Sequence, residues 1–292
     1  MGIILAILLF SAIIIIHELG HFLLAKANGI RVDEFSLGLG PTLFGKQFGE
    51  TKFSVKLLPF GGACMMGEDD VEDISEGSFN SKSVWARMSV IVAGPLFNLI
   101  LAWILCMIMI AWVGYRTPVV GGVIDGYSAQ EQGLSEGDVI TKIGGRSVHI
   151  WNDISLYNLT HSEEKEVEIT YKRDGKTHTA VLEPRQKEGD TAPLLGVTGG
   201  KMERPGFFGT LKYGAYTVKY WIDYTVDSLR MLVTGRVGMK DLSGPVGIVS
   251  AVDGVYQEAA PAGLSVIILN LMNIGILITA NLGVMNLLPL PA

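Results

Sequence analysis

The stretch IIIIHELGHFLL, residues 13–24, places two histidines and a glutamate inside an apolar run. The run begins near residue 3, so it holds roughly the 20 helical residues that cross a ~30 Å hydrocarbon layer. His17 and His21 are four residues apart and share one face of a helix, with Glu18 beside them. Ionisable groups at membrane depth are costly unless they are paired or serve a function. The stretch therefore predicts a membrane-spanning helix with a functional polar site.

The composition of the whole chain agrees with a membrane protein. Of its 292 residues, 49% are apolar, and the mean hydropathy is +0.37. Two further stretches, about 88–114 and 263–288, are long and apolar enough to span a bilayer, whereas about 117–260 is typical of water-soluble protein. The formal net charge of -6 and the lack of a basic cluster argue against a nucleic-acid partner.

Basic residues predict how the chain crosses the membrane. They cluster near the span ends between the first two apolar stretches, and the positive-inside rule makes that segment cytoplasmic. The N-terminus and the soluble module are then extracytoplasmic. No cationic residue precedes the first apolar run and no small-residue cleavage site follows it, so this span is predicted to stay in the mature protein. The basic residues are Lys26, Arg31, Lys46, Lys52, Lys56, Lys82 and Arg87.

The HELGH motif favours a metal site. His17 and His21 can bind one ion while Glu18 approaches a water molecule on it. Zinc lowers the pKa of such a water to about 7 and polarises a carbonyl, and a glutamate can pass the proton to a leaving amine. The pattern also occurs by chance, but its apolar surroundings favour function. We predict His17 and His21 as metal ligands and Glu18 as the catalytic base, with Zn²⁺ or another divalent first-row metal.

A catalytic zinc needs a third protein ligand, and the three apolar stretches contain no other Asp, Glu or His. The acidic residues within 68–73 are predicted to form a solvated loop. The remaining histidines are predicted surface residues of the soluble module. We therefore expect the third ligand to be absent from this chain. These histidines are His149, His161 and His178.

Four separated motifs resemble the site-2 protease family of intramembrane metalloproteases, in its bacterial type with one PDZ domain. They are HELGH at 17–21, FSLGLGP at 35–41 followed by LPFGG at 58–62, GPLFN at 94–98, and NLLPLPA at 286–292. In the family the last motif continues into Leu-Asp-Gly, whose aspartate is the third zinc ligand, and a further membrane helix follows. The resemblance implies zinc, with this aspartate just beyond Ala292, and a partial chain whose own activity is in question.

The resemblance also implies an activity. Such an enzyme hydrolyses peptide bonds in the membrane segments of single-span substrates, such as anti-sigma factors and remnant signal peptides, after a site-1 cut. This is regulated intramembrane proteolysis in the bacterial inner membrane. The alternative is a non-catalytic receptor or adaptor in which a PDZ module captures protein termini. A soluble-type protease anchored to the membrane is disfavoured, because apolar residues flank the motif.

Residues 52–57 alternate polar and apolar side chains, and a Pro-Phe-Gly-Gly turn signal precedes a possible return strand at 63–66. This pattern predicts a β-hairpin. The resemblance implies that the hairpin re-enters the membrane and pairs with extended substrate, with Gly61 and Gly62 in contact with it. Asn281 and Asn286 are candidates for substrate contact beside the Pro-rich segment. Interhelical hydrogen bonding is the alternative for these amides and for Asn98, Asn270 and Asn273.

The segments 129–140 and 143–148 resemble bacterial PDZ domains, with a helix at 151–159 and a hairpin around the Asp174-Gly175 turn. PDZ domains bind a peptide C-terminus as an added strand, and backbone amides of a Gly-containing loop hold its carboxylate. We predict this role for Val120, Gly121 and Gly122. Alternatively, these glycines only permit a turn, and the module acts as a size filter.

The predicted fold is a multi-pass α-helical membrane protein with a membrane-reentrant β-hairpin and an inserted extracytoplasmic PDZ (α+β) domain. Aromatic residues within 205–260 indicate either amphipathic helices at the membrane surface or a soluble linker. The predicted segments are the first span at 1–27, the hairpin segment at 28–84, the second span at 85–115, the PDZ domain at 116–186, the linker at 187–262, and the third span at 263–292, truncated before Leu-Asp-Gly.

Overall fold

The computed structural model describes residues 2–67, 74–187, 193–238 and 244–288. The chain divides into two compact units. The first unit comprises Met1–Leu105 and Gly238–Ala292, and the second comprises Cys106–Val237. In chain order the elements are α1 (Gly2–Ala27), β1 (Glu34–Phe48), β2 (Thr51–Met65), α2 (Val84–Val113), β3 (Tyr115–Arg116), β4 (Val120–Val123), α3 (Ser128–Glu131), β5 (Val139–Ile143), β6 (Arg146–Ser147), α4 (Trp151–Thr160), β7 (Val167–Arg173), β8 (Lys176–Leu182), β9 (Val197–Gly199), β10 (Met202–Glu203), α5 (Phe207–Val233), α6 (Pro245–Ala259) and α7 (Leu264–Met285).

Among the described residues, α1, α2 and α7 are long and apolar enough to cross a membrane. Large apolar side chains such as Ile3, Ile4 and Leu8 are more than half exposed, as expected for surfaces that lipid covers. Small groups allow α2 and α7 to pack closely: a Cβ at Gly283 would lie 3.1 Å from the Pro95 carbonyl oxygen. The three predicted spans are therefore present as helices.

The sheet of β1 and β2 is more elaborate than one hairpin. Residues 42–48 and 51–56 form a hairpin that turns at Gly49, whose φ of 60° favours glycine. Residues 34–37 then pair with 52–55 on one side and with 62–65 on the other. The sequence predicted that 52–57 and 63–66 would pair directly, but 34–37 lies between them, because it is itself an extended segment.

Part of this sheet has large apolar side chains on its surface. They lie mainly in the hairpin formed by 42–48 and 51–58, and an exposed patch of this kind indicates a surface that meets lipid or another protein. In contrast, Glu34 is mostly buried at the base of the hairpin, where it accepts hydrogen bonds from Ser54 at 2.5 Å and Lys56 at 3.5 Å. The exposed side chains include Leu43, Phe44, Phe48, Val55 and Leu57.

The second unit is built on an antiparallel sheet of strand order β6-β5-β7-β8, with α4 packed on its buried core. The predicted hairpin is present: β7 and β8 pair around Asp174 and Gly175, both with positive φ. The core continues past the predicted boundary at residue 186, because Leu195 belongs to it and β9 pairs with β4. The domain boundaries given above stay predictions.

Helix α5 packs its aromatic face against the second unit itself. Tyr213 stacks on Tyr115 with ring centroids 3.9 Å apart, and Tyr216 stacks on His149 at 3.8 Å. Near the other end of the helix, Asp227 accepts two hydrogen bonds from the Arg146 guanidinium, at 2.5 and 3.0 Å. These tyrosines therefore do not face lipid, and the amphipathic pattern of α5 is explained mainly by packing within the unit.

A buried carboxylate joins β5 to β7. Asp138 is 1% exposed and accepts hydrogen bonds from Arg173 Nε and Nη2, each at 2.7 Å, and from the Ser135 backbone N–H at 2.9 Å. Burial opposes ionisation of this carboxyl, but the hydrogen bonds outweigh burial, so its pKa lies below its usual value.

We expect Asp138→Asn to loosen this sheet, with the amides of β5 and β7 exchanging roughly tenfold faster in hydrogen-exchange mass spectrometry, because a hydrogen bond to a charged group is lost. The wild-type stabilisation is present above the unfolded-state pKa of about 3.9 and is lost as the pH falls through the lowered folded-state pKa. The stability of the Asp138→Asn variant lacks this dependence on pH in the acid range. Asp174→Asn in the exposed turn is the control and should leave exchange unchanged; equal rates in the two variants would refute the prediction.

Candidate metal centre

Helix α1 brings two imidazole nitrogens together. His17 Nε2 and His21 Nε2 lie 3.1 Å apart, one helical turn from each other. Two nitrogens bound to one tetrahedral Zn²⁺ at about 2.0–2.1 Å would be separated by about 3.3 Å. The observed separation is close to that value, so this pair fits a shared metal ion.

Helix α2 holds the other nitrogen of each ring. His21 Nδ1 lies 2.7 Å from the Val90 carbonyl oxygen, which can only accept, so Nδ1 carries the proton and Nε2 presents its lone pair. His17 Nδ1 lies 3.1 Å from Asn98 Nδ2. Asn98 is fully buried and its Oδ1 has no hydrogen-bond partner among the described residues. Contacts of this kind fix the tautomer and orientation of metal-binding histidines.

Two glycines permit this close approach of α1 and α2. A Cβ at Gly20 would lie 2.6 Å from the Ala93 carbonyl oxygen, closer than real contacts allow. A Cβ at Gly94 would lie 2.7 Å from His17 Nε2 and even closer to His21 Nε2. The space between the two histidines and α2 therefore exists only because residue 94 has no side chain.

Glu18 faces the β-sheet of the first unit. A Cβ at Gly62 would lie 3.4 Å from Glu18 Cγ, so this part of β2 runs directly beside the glutamate. The Ser11 hydroxyl, two turns earlier on α1, donates a hydrogen bond to the Pro59 carbonyl oxygen. The cavity next to the glutamate has a volume of about 360 Å³ and is lined by Glu18, His21, Cys64, Met66, Phe79, Val90 and Ile91.

The described residues supply two candidate ligands and not three. No group of three or more His, Cys, Asp or Glu side chains that could hold a metal occurs in the described part of the chain. The other histidines lie in the second unit, where His149, His161 and His178 stack on tyrosine rings. The acidic run at 68–73 and the end of the NLLPLPA motif, 289–292, lie outside the described residues.

The predicted peptide-binding loop is a paired strand. The Val120 backbone N–H donates to the Asp138 carbonyl oxygen at 2.8 Å, and Gly122 and Val123 pair with β9. The Val120 amide is therefore already used and cannot hold a carboxylate, while Gly121 lies at an irregularity of the pairing. Strand β9 lies far along the chain from β4, with Val197 74 positions after its partner Val123, and the sequence pattern did not indicate this pairing.

The other predicted substrate-binding residues differ in position. Gly62 lies beside Glu18, as described above. Gly61 has a φ of 87°, and a Cβ there would lie 3.1 Å from Leu39. Asn286 ends α7 and is exposed, and Asn281 is half-buried within that helix. Nothing in the sequence pattern indicated the roles of Val90 and Gly94. Interhelical hydrogen bonding was one of the alternatives for Asn98, whose amide does contact His17 of α1.

A polar site of this composition inside an apolar helix defines a membrane-embedded metalloprotease, and comparisons with known proteins agree. The sequence profile of peptidase family M50 matches residues 5–292. A predicted zinc metalloprotease of Clostridium acetobutylicum is 39% identical over 100% of this chain and 83% of its own. The regulator of sigma-W protease RasP of Bacillus subtilis is 30% identical over 98% of this chain and 86% of its own.

The chain therefore belongs to peptidase family M50, the site-2 protease family of intramembrane zinc metalloproteases. It is a zinc metalloendopeptidase of regulated intramembrane proteolysis, as the resemblance implied. Among solved structures, the PDZ domain of an SdrC-like protein from Listeria monocytogenes is 28% identical, covers 29% of this chain and 88% of its own, and superposes with a TM-score of only 0.24.

We expect Gly94→Ala to abolish zinc binding, because its methyl group would occupy the space between the two imidazoles and α2. Zinc content by elemental analysis and the visible absorption of the Co²⁺-substituted protein measure this directly. Gly254→Ala, on the open surface of α6 where a Cβ meets nothing within 4 Å, is the matched control. Normal zinc content in Gly94→Ala, or loss of helical circular dichroism together with zinc, would contradict this account.

Proposed function

We propose that this protein cleaves peptide bonds in the membrane segments of single-span proteins, with His17 and His21 as two zinc ligands and Glu18 as general base. The observation that carries this proposal is the 3.1 Å separation of the two Nε2 atoms beside Glu18, within a helix that can span the bilayer. The third ligand would be the aspartate of the Leu-Asp-Gly motif that follows NLLPLPA in the family.

The bound metal and the residues of this chain would have different roles in peptide hydrolysis. When bound, zinc would supply Lewis acidity and a water of lowered pKa. The Glu18 carboxylate would accept a proton from the attacking water and deliver it to the nitrogen of the leaving amine. The apolar lining of the cavity, including Phe79 and Val90, would limit bulk water around this proton transfer.

Asn98 would position His17. For His17 Nε2 to bind a metal, Nδ1 must carry a proton and donate it. Rotating the Asn98 side-chain amide by 180° exchanges Oδ1 and Nδ2 and leaves the other atoms in place. In the rotated orientation, Oδ1 can accept the hydrogen bond from His17 Nδ1. The buried Thr279 hydroxyl donates to the backbone carbonyl oxygen of Asn98 at 3.0 Å, which connects this residue to α7.

The edge of the β-sheet would hold the substrate. A membrane helix that is unwound for cleavage loses its internal hydrogen bonds, and these must be replaced where no water is available. Residues 62–65 pair with 34–37 on one side, and Gly62 places this segment beside Glu18. An extended substrate added to the segment would present its backbone to the base. The exposed apolar residues of 42–58 support a sheet that re-enters the membrane.

The resemblance of residues 129–140 and 143–148 to bacterial PDZ domains supports a PDZ domain in the second unit. The positive-inside rule supports an extracytoplasmic location for this domain, in a protein of the bacterial inner membrane. The pairing of β4 with β9 favours a size filter over capture of peptide C-termini by residues 120–122. The Bacillus relative is named for control of a sigma factor, which supports substrates of the anti-sigma-factor type, already shortened by a first cut. Remnant signal peptides are a second substrate class that the resemblance implies.

We expect Glu18→Gln to lower cleavage of a single-span model substrate by about 10²–10⁴-fold with zinc content unchanged, because only the proton acceptor is removed. The assay uses the complete membrane-embedded protein in reconstituted vesicles. Glu76→Gln, an exposed glutamate outside the cavity, is the control and should cleave normally. Undiminished cleavage by Glu18→Gln would favour the non-catalytic receptor.

We expect Asn98→Ala to weaken zinc binding by about 10–100-fold, as is typical when the partner of a metal-binding histidine is removed. Asn98→Asp keeps an acceptor for His17 Nδ1 and should restore most of the affinity. Competition with a fluorescent zinc chelator gives the affinities. Asn273→Ala, an exposed amide on α7, should have no effect. Equal losses in Asn98→Ala and Asn98→Asp would indicate a packing role only.

A further inference from the structure

The first turn of α5 carries two phenylalanines that packing within the second unit does not explain. Phe207 is 72% exposed and Phe208 is 82% exposed, and their rings meet edge to face at 5.4 Å. The tyrosines further along α5 pack against the unit, as described above. Exposing two adjacent large aromatic rings to water is unfavourable, and such residues mark a surface that meets another phase or partner.

These two residues lie next to the end of the membrane span α2. That helix ends at Val113, and β3 immediately after it pairs with β10. Gly114 makes the close turn between them: its φ is 89°, and a Cβ there would lie 2.5 Å from the Glu203 carbonyl oxygen. Only residues 204–206 separate β10 from Phe207. The chain therefore places the start of α5 beside the last turn of α2.

The direction of α5 places Phe207 on the membrane side of this junction. Tyr213 contacts Tyr115, two residues past the span, and Asp227 contacts Arg146 in the sheet. The residues of α5 after Tyr213 thus lie further from the end of α2, on the side of the sheet. The residues before Tyr213 extend in the opposite direction, away from the sheet. Phe207 precedes Tyr213 by about 9 Å along the helix axis. Ile110, in the last turn of α2, shares the buried cluster of Tyr115 and Tyr213.

The charge around the two phenylalanines suits a phospholipid surface. Four basic residues lie on β3, on α5 and in the segment around β10, and none has an acidic partner within ion-pair distance in the described part of the chain. Glu203 is the only acidic residue within 201–212. Basic side chains at this level would contact lipid phosphates while the aromatic rings enter the interface. These residues are Arg116, Lys201, Arg204 and Lys212.

We propose that Phe207 and Phe208 insert into the outer interface of the lipid bilayer and anchor the second unit to the membrane at a second point. The continuity of this surface with the α2 span favours lipid over a partner protein. With α2 as the first attachment and the aromatic pair as the second, the unit has a fixed height and tilt over the membrane. This inference does not depend on proteolytic activity.

The test places an environment-sensitive nitrobenzoxadiazole label at Phe207→Cys or Phe208→Cys, in a Cys64→Ala, Cys106→Ala background. The complete protein is reconstituted in vesicles of phosphatidylethanolamine and phosphatidylglycerol. We expect blue-shifted emission from both labels, and doxyl groups near the headgroups should lower it by roughly half, because interfacial side chains lie about 5–10 Å below that boundary. Leu159→Cys is the control: it is an apolar position 57% exposed near the other end of the unit, and should show neither effect.

Emission from the Phe207 and Phe208 labels that matches the Leu159 label, with equal quenching by aqueous iodide, would overturn the proposal. A blue shift without doxyl quenching would also overturn it, because it indicates a protein contact. Thermal unfolding of each labelled variant shows whether the second unit remains folded. If both phenylalanine variants unfold, labels at the neighbouring Gly206→Cys and Thr210→Cys report the same depth and decide the question by the same criteria.

Discussion

Two imidazole nitrogens lie 3.1 Å apart inside an apolar helix, and the packing around them follows from that constraint. Polar groups at membrane depth must find partners within the protein, because no water is available to them. Val90 and Asn98 of α2 supply these partners, and the helices approach closely enough only because Gly20 and Gly94 lack side chains. The arrangement of the histidine pair is therefore a property of the α1–α2 pair and not of the HELGH motif alone.

The sheet of β1 and β2 meets the same constraint differently. Its inner segment, 34–37, has both edges paired, and one of its partners, residues 62–65, runs beside Glu18. In the proposed mode of binding, an extended substrate would pair with residues 62–65. The hydrogen bonds gained there would replace those that the substrate helix loses on unwinding, where no water is available.

The sequence predicted the three spans, the histidine pair and the family, because these depend on local pattern and on motifs. It did not predict that 34–37 would lie between two segments of β2, or that β4 would pair with β9, because strand order depends on contacts distant in the chain. Amphipathic α5 illustrates a related limit. Its pattern indicated one apolar face, but it could not show whether lipid or the protein covers that face. Asn98 was open to two readings because its partner lies 81 positions away.

The glycine beside Glu18 would also bear on selectivity. Backbone groups are alike in every residue, so backbone pairing of a substrate with residues 62–65 would distinguish poorly between side chains. Substrate preference would then depend on how readily the substrate helix gives up its own hydrogen bonds. Helices with glycine or β-branched residues near the scissile bond unwind at lower cost than those built from alanine and leucine. In this enzyme, specificity would then depend on the local stability of the substrate helix, because the helix must unwind before any peptide bond is broken.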